Sequence, residues 1–165
     1  LEKKYSNIDK KFLFRNIGYN IRGSEIGATI GLIQLKKLKK IISIRQKIGK
    51  FWKKYFKNNN IFSIQKETVN SEHSWFGIPI YLKRQNPELV KKLRKLLDKN
   101  NIETRPIICG NITVQPAMKK LKYKISGTLE NSDYIMKNSF AIGCHQNITK
   151  DNLLYATKII EKVHK

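Results

Sequence analysis

The pattern of apolar and polar positions is most regular in the first third of the chain. Between Ile26 and Tyr55, apolar residues recur mostly at three- and four-residue spacing, with lysines at many of the positions between them. This spacing is typical of an amphipathic helix, which we predict from about residue 24 to residue 56. Three successive asparagines, 58–60, follow and end it. We expect the lysine-rich side of this helix to be solvated.

Shorter patterns predict strands and helices in the rest of the chain. They indicate, in order, a short irregular or strand-like link over 61–69, a strand over 74–82, a helix over 86–100, a strand over 102–108, a helix over 129–138, a strand over 140–144 and a helix over 153–163. Asn86 and Pro87 supply an N-cap and a first-turn proline, and Thr149 caps the last helix. Pro79 indicates an edge or a bulge in its strand, because proline has no N–H to donate.

The order strand, helix, strand is typical of an α/β unit whose helix covers one face of a small sheet. We therefore predict an α/β (α+β) fold, with a long N-terminal helix followed by a small mixed sheet and covering helices. A length of 165 residues with 40% hydrophobic content suits a domain with its own core. Within it we distinguish residues 1–60, a loop and the long helix, from residues 61–165, the small α/β domain. Residues 1–17 are expected to be extended.

A polar turn, Gly18-Tyr19-Asn20-Ile21-Arg22, leads directly into the long helix. Its hydrogen-bonding side chains precede the first helical turn, where free N–H groups and the helix dipole favour an anion such as phosphate. Gly27, Ala28 and Gly31 follow, and small residues three and four apart share one helix face. A subunit interface or a cofactor-bearing domain could approach closely there. The alternative is an ordinary helix cap with a small-residue packing face.

The net charge of +22 is typical of a nucleic-acid-binding protein, but its distribution argues against that function. The basic residues are 28 lysines spread along the chain and only six arginines, the type that makes bidentate contacts with bases and phosphates. Abundant lysine, isoleucine and asparagine together suggest an AT-rich coding sequence. We therefore expect no nucleic-acid partner, and a basic non-enzymatic binding module remains the alternative from another functional class.

Other motifs exclude several classes of site. No apolar run is long enough to span a bilayer, so we expect no membrane partner. Cys109 and Cys144 are too few and too far apart for a disulfide framework, which fits a reducing cytoplasm. The histidines have no partners at a metal-ligand spacing, so no metal site is expected. No nucleophile elbow, dinucleotide fingerprint or P-loop is present, and no catalytic residue is assigned.

The remaining candidates share polar, hydrogen-bonding side chains on predicted loops or strand ends: Asn20, Arg22, Arg105, Asn111 and His145. Two arginines and two asparagines suit a ligand that carries phosphates and hydroxyls. Loops at strand ends are also where binding residues concentrate. The alternative for Arg105 is a structural ion pair with Glu103 or Asp133.

Several stretches carry a family resemblance. Gly18-Tyr19-Asn20-Ile21-Arg22, with the helix through Leu35, resembles the GYN-x-[RK] segment of the DegT/DnrJ/StrS family of pyridoxal-phosphate enzymes that remodel nucleotide-linked keto sugars. Residues 102–106 with 110–113 are similar to the ETRP…GN-x-T stretch of its 3-dehydratase branch, which acts on NDP-4-keto-6-deoxyhexoses. Residues 127–133 and 140–145 also look like that branch.

The resemblance implies the C-terminal small domain of a fold type I, aspartate aminotransferase-like enzyme that uses pyridoxal 5'-phosphate or pyridoxamine 5'-phosphate. It implies that Asn20 contacts the cofactor phosphate of a neighbouring subunit in a homodimer. Arg22, Arg105, Asn111 and His145 would bind the nucleotide-linked keto sugar. The Schiff-base lysine, or the histidine that replaces it, lies upstream of the GYN segment in the family, so this chain is expected to be a piece that lacks it.

The implied activity is that of a cytoplasmic 3-dehydratase in deoxysugar or aminosugar synthesis for lipopolysaccharide or another antigen. A sugar aminotransferase is the alternative within the family. Thr29 and Gly23 depart from the residues usual at their positions, an alanine and a bulkier residue. These departures concern packing rather than family membership.

Overall fold

The computed structural model describes residues 19, 21, 23–108 and 110–164. The chain divides into two compact units, Leu1–Lys37 and Leu38–Lys165. The long helix α1, Glu25–Phe56, includes residues of both units. The predicted helix over 24–56 is therefore confirmed, while the prediction for residues 1–17 lies outside the described residues.

The start of α1 is capped by Ser24, whose Oγ accepts a hydrogen bond from the Gly27 N–H at 3.1 Å. This bond satisfies one of the donors that a helix leaves free in its first turn. In the first unit, Ile26, Ile30 and Ile33 on α1 are exposed.

Over its described residues, the second unit contains a four-stranded sheet and three further α-helices. The strands are β1 (Phe62–Ile64), β2 (Gly77–Leu82), β3 (Thr104–Arg105) and β4 (Ser139–Gly143), and the helices are α2 (Pro87–Lys99), α3 (Glu130–Asn138) and α4 (Lys150–Glu161). Single turns of 3₁₀ helix cover Ile112–Val114, Pro116–Lys120 and Lys162–His164. Asn86 caps α2, and Thr149 with Asn152 forms a capping box on α4, as the sequence predicts for both caps.

The strand order is β1-β2-β4-β3, and each neighbouring pair is antiparallel. The prediction of a mixed sheet is therefore wrong. The strands β2 and β3, which α2 connects, do run in the same direction, but β4 lies between them. As a result, every hydrogen-bonded neighbour runs the opposite way.

The core lies on one face of the sheet. Along β2, buried Ile78, Ile80 and Leu82 alternate with partly buried residues, the period of a strand with one covered face. The fully buried residues on the covering helices include Trp52 on α1, Leu93 and Leu97 on α2, and Ile159 and Ile160 on α4. The second half of α1 thus belongs to this core.

Pro79 lies in β2, which has a neighbour on each side, so the predicted edge or bulge is wrong. The N–H of Lys83, the residue after β2, donates to Ile61 O at 2.8 Å. In an antiparallel pair, every second residue directs its backbone N–H and C=O to the same neighbour, so the β2 residues two and four positions before Lys83 face β1. Pro79 belongs to that set, but β1 has already ended at Ile64, opposite Ile80. The missing N–H of Pro79 therefore removes no bond from the sheet.

Strand β3 is much shorter than the predicted strand over 102–108. Pro106 follows it and cannot donate to a sheet. The chain then turns, since the Gly110 N–H bonds to the carbonyls of Ile107 and Ile108 at 3.1 and 2.8 Å, and Gly110 has a φ of +53°. A glycine adopts this left-handed conformation without the strain that a side chain brings.

Residues 65–76 pass along the second half of α1 and are fastened to it at several points. Lys53 bonds to Glu67, and Gln46 donates to Glu72 at 3.1 Å. Trp75 is buried against Gly49, where a Cβ would lie 2.3 Å from the indole nitrogen. A glycine at position 49 is therefore needed for the indole ring to approach the helix.

None of the helices within the described residues is long and apolar enough to cross a membrane.

Candidate functional site

Two of the predicted binding residues, Asn20 and Arg22, lie outside the described residues. Their neighbours Tyr19 and Ile21 are described, and both are almost fully exposed. The predicted contacts of Asn20 with a cofactor phosphate and of Arg22 with a substrate remain predictions.

Arg105 occupies β3, opposite Ala141 of β4. Its side chain is 73% exposed, and its Nε and Nη2 atoms both lie 2.9 Å from one carboxylate oxygen of Glu103. Of the two structural partners considered from the sequence, the structure thus selects Glu103. An exposed pair of this kind contributes little stability, so the guanidinium can exchange this carboxylate for another anion at small cost.

Asn111 is buried and bonded within its own loop. Its Nδ2 donates to Asp133 of α3 at 2.8 Å, and its Oδ1 accepts from the N–H and the hydroxyl of Thr113 at 3.0 and 2.6 Å. Asn111 also caps the 3₁₀ turn Ile112–Val114. These bonds hold the loop after β3 against α3, which is the role that the geometry shows for this side chain.

His145 follows β4 and is exposed. Its Nδ1 accepts a hydrogen bond from the Asn147 N–H at 3.2 Å, while its carbonyl accepts from Ile148 at 3.0 Å. Because Nδ1 acts as the acceptor, the neutral ring carries its proton on Nε2. That nitrogen is then a donor available to a ligand.

The sheet register places two of these candidates on chain segments that leave β3 and β4 at opposite ends of the pair. In the β3–β4 pair, Thr104 lies opposite Ile142 and Arg105 opposite Ala141. The chain leaving β3 therefore runs towards the first residue of β4, whereas His145 follows its last residue.

A mostly apolar cleft of about 570 Å³ is lined in part by Pro106, the residue that follows Arg105 in the sequence. Its lining residues are Pro106, Ile107, Gly110, Ile112, Gln115, Met118 and Met136. Sequence reasoning missed Met118 and Met136, because nothing in their local pattern shows which helix meets the loop. In the structure, Gly110 packs against Met136 of α3, and a Cβ at this position would lie 2.5 Å from the Met136 side chain.

A second, open groove of about 720 Å³ lies along β1, at the opposite edge of the sheet from β3. Lys53, Lys57, Lys66 and Lys83 are among the residues that line it. Lys53 is already paired with Glu67, and the Lys83 ammonium donates to Asn59 O at 2.7 Å. Arg105, Asn111 and His145 are not among its lining residues.

The lysines, the buried cysteine and the possible metal ligands show what the described residues offer to a cofactor or a metal ion. Every lysine that the structure describes is exposed except Lys53, which is half-buried and bonded to Glu67. Burial raises the pKa of the Cys144 thiol to about 11, which keeps it protonated and unreactive near neutral pH. Over residues 19, 21, 23–108 and 110–164, no cluster of histidine, cysteine and carboxylate groups could hold a metal ion.

Known proteins resemble this chain in sequence. A GDP-4-keto-6-deoxy-D-mannose 3-dehydratase of Escherichia coli O55:H7 is 32% identical over 160 residues, which cover 96% of this chain and 41% of the enzyme. The lipopolysaccharide biosynthesis protein RfbH of Salmonella typhimurium is 32% identical over 155 residues, 93% of this chain and 36% of that protein. The chain thus spans about two fifths of the length of these relatives.

A solved structure agrees with this result. The E. coli GDP-4-keto-6-deoxy-D-mannose-3-dehydratase with bound hydrated PLP superposes with a TM-score of 0.84 at 33% identity, over 92% of this chain and 39% of that one. The predicted small-domain fold of the fold type I enzymes is confirmed. The family described as the DegT/DnrJ/EryC1/StrS aminotransferases matches residues 3–164. This chain therefore belongs to the DegT/DnrJ/EryC1/StrS aminotransferase family.

Proposed function

We propose that this chain is part of a pyridoxal-phosphate-dependent enzyme that acts on a nucleotide-linked 4-keto-6-deoxy sugar, and that the enzyme is a 3-dehydratase. The observation that carries the proposal is the 32% identity with an E. coli 3-dehydratase over 96% of this chain. The RfbH relative supports a place in lipopolysaccharide or antigen synthesis. A sugar aminotransferase is the second candidate, since aminotransferases give the family its name.

Arg105 is the described residue best suited to bind the nucleotide diphosphate. Its guanidinium is exposed, permanently charged and forked, and it already holds a carboxylate through two donors. A diphosphate offers the same oxygen geometry with more charge. We assign His145 a hydrogen bond from Nε2 to a sugar or phosphate oxygen, and we assign Asn111 the support of the loop beside Arg105. Arg22 is proposed as a second cation for the substrate.

The described residues do not form a complete cofactor site. A lysine that attaches pyridoxal phosphate must be desolvated or otherwise activated, and no described lysine is buried. When bound, the cofactor supplies an electron sink for bond breaking at the sugar. The contribution that we propose from this chain is one contact, from Asn20 to the cofactor phosphate of a partner subunit. The proposal thus includes a homodimer, and it places the enzyme in the cytoplasm.

The product distinguishes the two candidate activities. The complete enzyme, in which this chain is joined to the rest of the family fold, is supplied with glutamate and GDP-4-keto-6-deoxymannose, and the product is weighed. We expect a 3-deoxy keto sugar and released ammonia. A stable 4-amino sugar would instead establish the aminotransferase. Absence of any reaction, together with salt-dependent DNA binding, would favour the basic binding module.

Replacing Arg105 tests its proposed role. We expect Arg105→Ala to weaken GDP binding about ten- to hundredfold, because a hydrogen bond to a charged group is lost. Arg84→Ala is the matched control, since Arg84 is also an exposed arginine and follows the central strand β2. Isothermal titration of the complete enzyme measures both. Equal affinities in the two variants would remove Arg105 from the site.

A further inference from the structure

The orientation of Arg105 depends on a strand that has little support from the sheet. β3 contains two residues and, among the strands that the structure describes, pairs with β4 alone, as the last strand in the order β1-β2-β4-β3. Two paired residues give few ladder hydrogen bonds. The position of β3, and with it the direction of the Arg105 side chain, must be fixed by other contacts.

Thr104, the residue before Arg105, makes those contacts. Its N–H and its hydroxyl both donate to Asp98 Oδ1, at 3.2 and 3.1 Å. Its Oγ1 in turn accepts from Arg94 Nε at 3.1 Å. Asp98 and Arg94 lie one turn apart on α2, so a single helix face holds both the backbone and the side chain of Thr104.

Successive side chains of a strand point to opposite faces. Thr104 is buried towards α2, while Arg105 is exposed on the other side. A slip of β3 by one residue would reverse both directions and break all three bonds of Thr104. The threonine thus selects the register in which the guanidinium faces outward.

We infer that Thr104 is a positioning residue, which holds Arg105 in the orientation that binds the nucleotide diphosphate through its bonds to Asp98 and Arg94. This inference rests on the proposed function, because it gives Arg105 a diphosphate to bind. It assigns a binding role to a buried hydroxyl that does not itself reach the ligand.

A double-mutant cycle in the complete enzyme tests the inference, with GDP as the probe and Kd as the measurement. Thr104→Val keeps the shape of the side chain and removes both of its hydroxyl bonds. We expect it to weaken GDP binding about three- to tenfold, within the range of coupling between neighbouring residues. In the Arg105→Ala background, the same substitution should have no further effect, because there is no guanidinium left to orient.

Three variants separate positioning from a loss of stability. Thr104→Ser retains the hydroxyl and should restore wild-type Kd. Asp98→Ala removes the carboxylate that accepts the bonds from Thr104. It should reproduce the effect of Thr104→Val, and it provides the test if the valine variant folds poorly. Thr157→Val is the matched control, since Thr157 is another buried threonine, on α4, whose hydroxyl donates to Leu154 O at 2.8 Å. It should lower stability without changing Kd.

The outcomes separate the inference from the proposed binding role of Arg105. If Arg105→Ala binds GDP as tightly as wild type, the proposed role of Arg105 and the inference are both overturned, while the proposed activity is tested separately by its product. If Arg105→Ala binds weakly but Thr104→Val leaves Kd unchanged, only the inference is overturned. Additive effects in the double variant would also overturn it, since they would show that Thr104 acts independently of Arg105.

Discussion

The two halves of α1 have similar hydrophobic periodicity but very different surroundings. In the second half, Ile48, Trp52 and Phe56 are 3%, 1% and 3% exposed and pack in the core of the second unit. In the first half, Ile26 and Ile30 are 76% and 56% exposed. Periodicity therefore identifies the apolar face of a helix, but it does not say what covers that face.

The glycines of α1 show the same difference. A Cβ at Gly49 would collide with the Trp75 ring, whereas a Cβ at Gly31 would meet nothing within 4 Å. The small-residue face around Gly27 and Gly31 is the one for which the sequence predicts a partner subunit or a cofactor-bearing domain. That contact remains a prediction, and substitutions in the two halves of the helix sharpen the contrast.

The largest expected effect comes from truncating one isoleucine to alanine in each half of α1. Ile48→Ala should lower the free energy of unfolding by about 2–5 kcal/mol, the usual cost of a cavity in a packed core. Ile30→Ala on the same helix should change it by less than about 0.5 kcal/mol, because little is packed around an exposed side chain. Urea denaturation of the chain measures both. Similar losses in the two variants would mean that the first half is as well packed as the second.

A smaller effect is expected from adding a methyl group to each half. Gly49→Ala should destabilise the chain by about 1–2 kcal/mol, since overpacking against Trp75 outweighs the helix preference of alanine. Gly31→Ala is the matched control and should stabilise by about 0.5–1 kcal/mol, because alanine is the better helix former and nothing obstructs its Cβ. Thermal unfolding would reveal the opposite signs. A stabilising Gly49→Ala would show that the indole ring can move away at little cost.

The helices could be predicted from the sequence because their signals are local. Helix caps and three- and four-residue periodicity depend on neighbours along the chain. The structure confirms the caps at Asn86 and Thr149 and the long helix that the periodicity predicts. Strand pairing is not local. Pro79 is tolerated in a central strand only because β1 ends before reaching it, and nothing near Pro79 reports where β1 ends.

The candidate site shows the same limit. The types of its residues could be recognised, and the family resemblance is confirmed by comparison with known proteins. The sequence did not show that Asn111 is already bonded to Asp133 and Thr113. These facts depend on how α3 meets a loop more than twenty residues away, which no local pattern encodes.

The smallest expected effect concerns the segment fastened to the second half of α1. Hydrogen bonds from the Lys53 ammonium and then from the His73 N–H, together with the nearby charge of Lys53, hold the pKa of Glu67 below its ordinary value. A carboxyl whose pKa is lower in the folded chain stabilises the fold above its unfolded pKa. This contribution is lost as the pH falls through the folded value.

We therefore expect the unfolding free energy of the chain to fall more steeply below about pH 4.5 in the wild type than in Glu67→Gln, since glutamine does not titrate. Urea denaturation at several pH values measures the difference. Glu88→Gln, which removes a carboxylate from the exposed pair with Lys91 on α2, controls for the change in net charge. Parallel curves for wild type and Glu67→Gln would contradict the prediction. They would leave Trp75 against Gly49 and the hydrogen bond from Gln46 to Glu72, and not the ion pair, as the contacts that fasten the segment to α1.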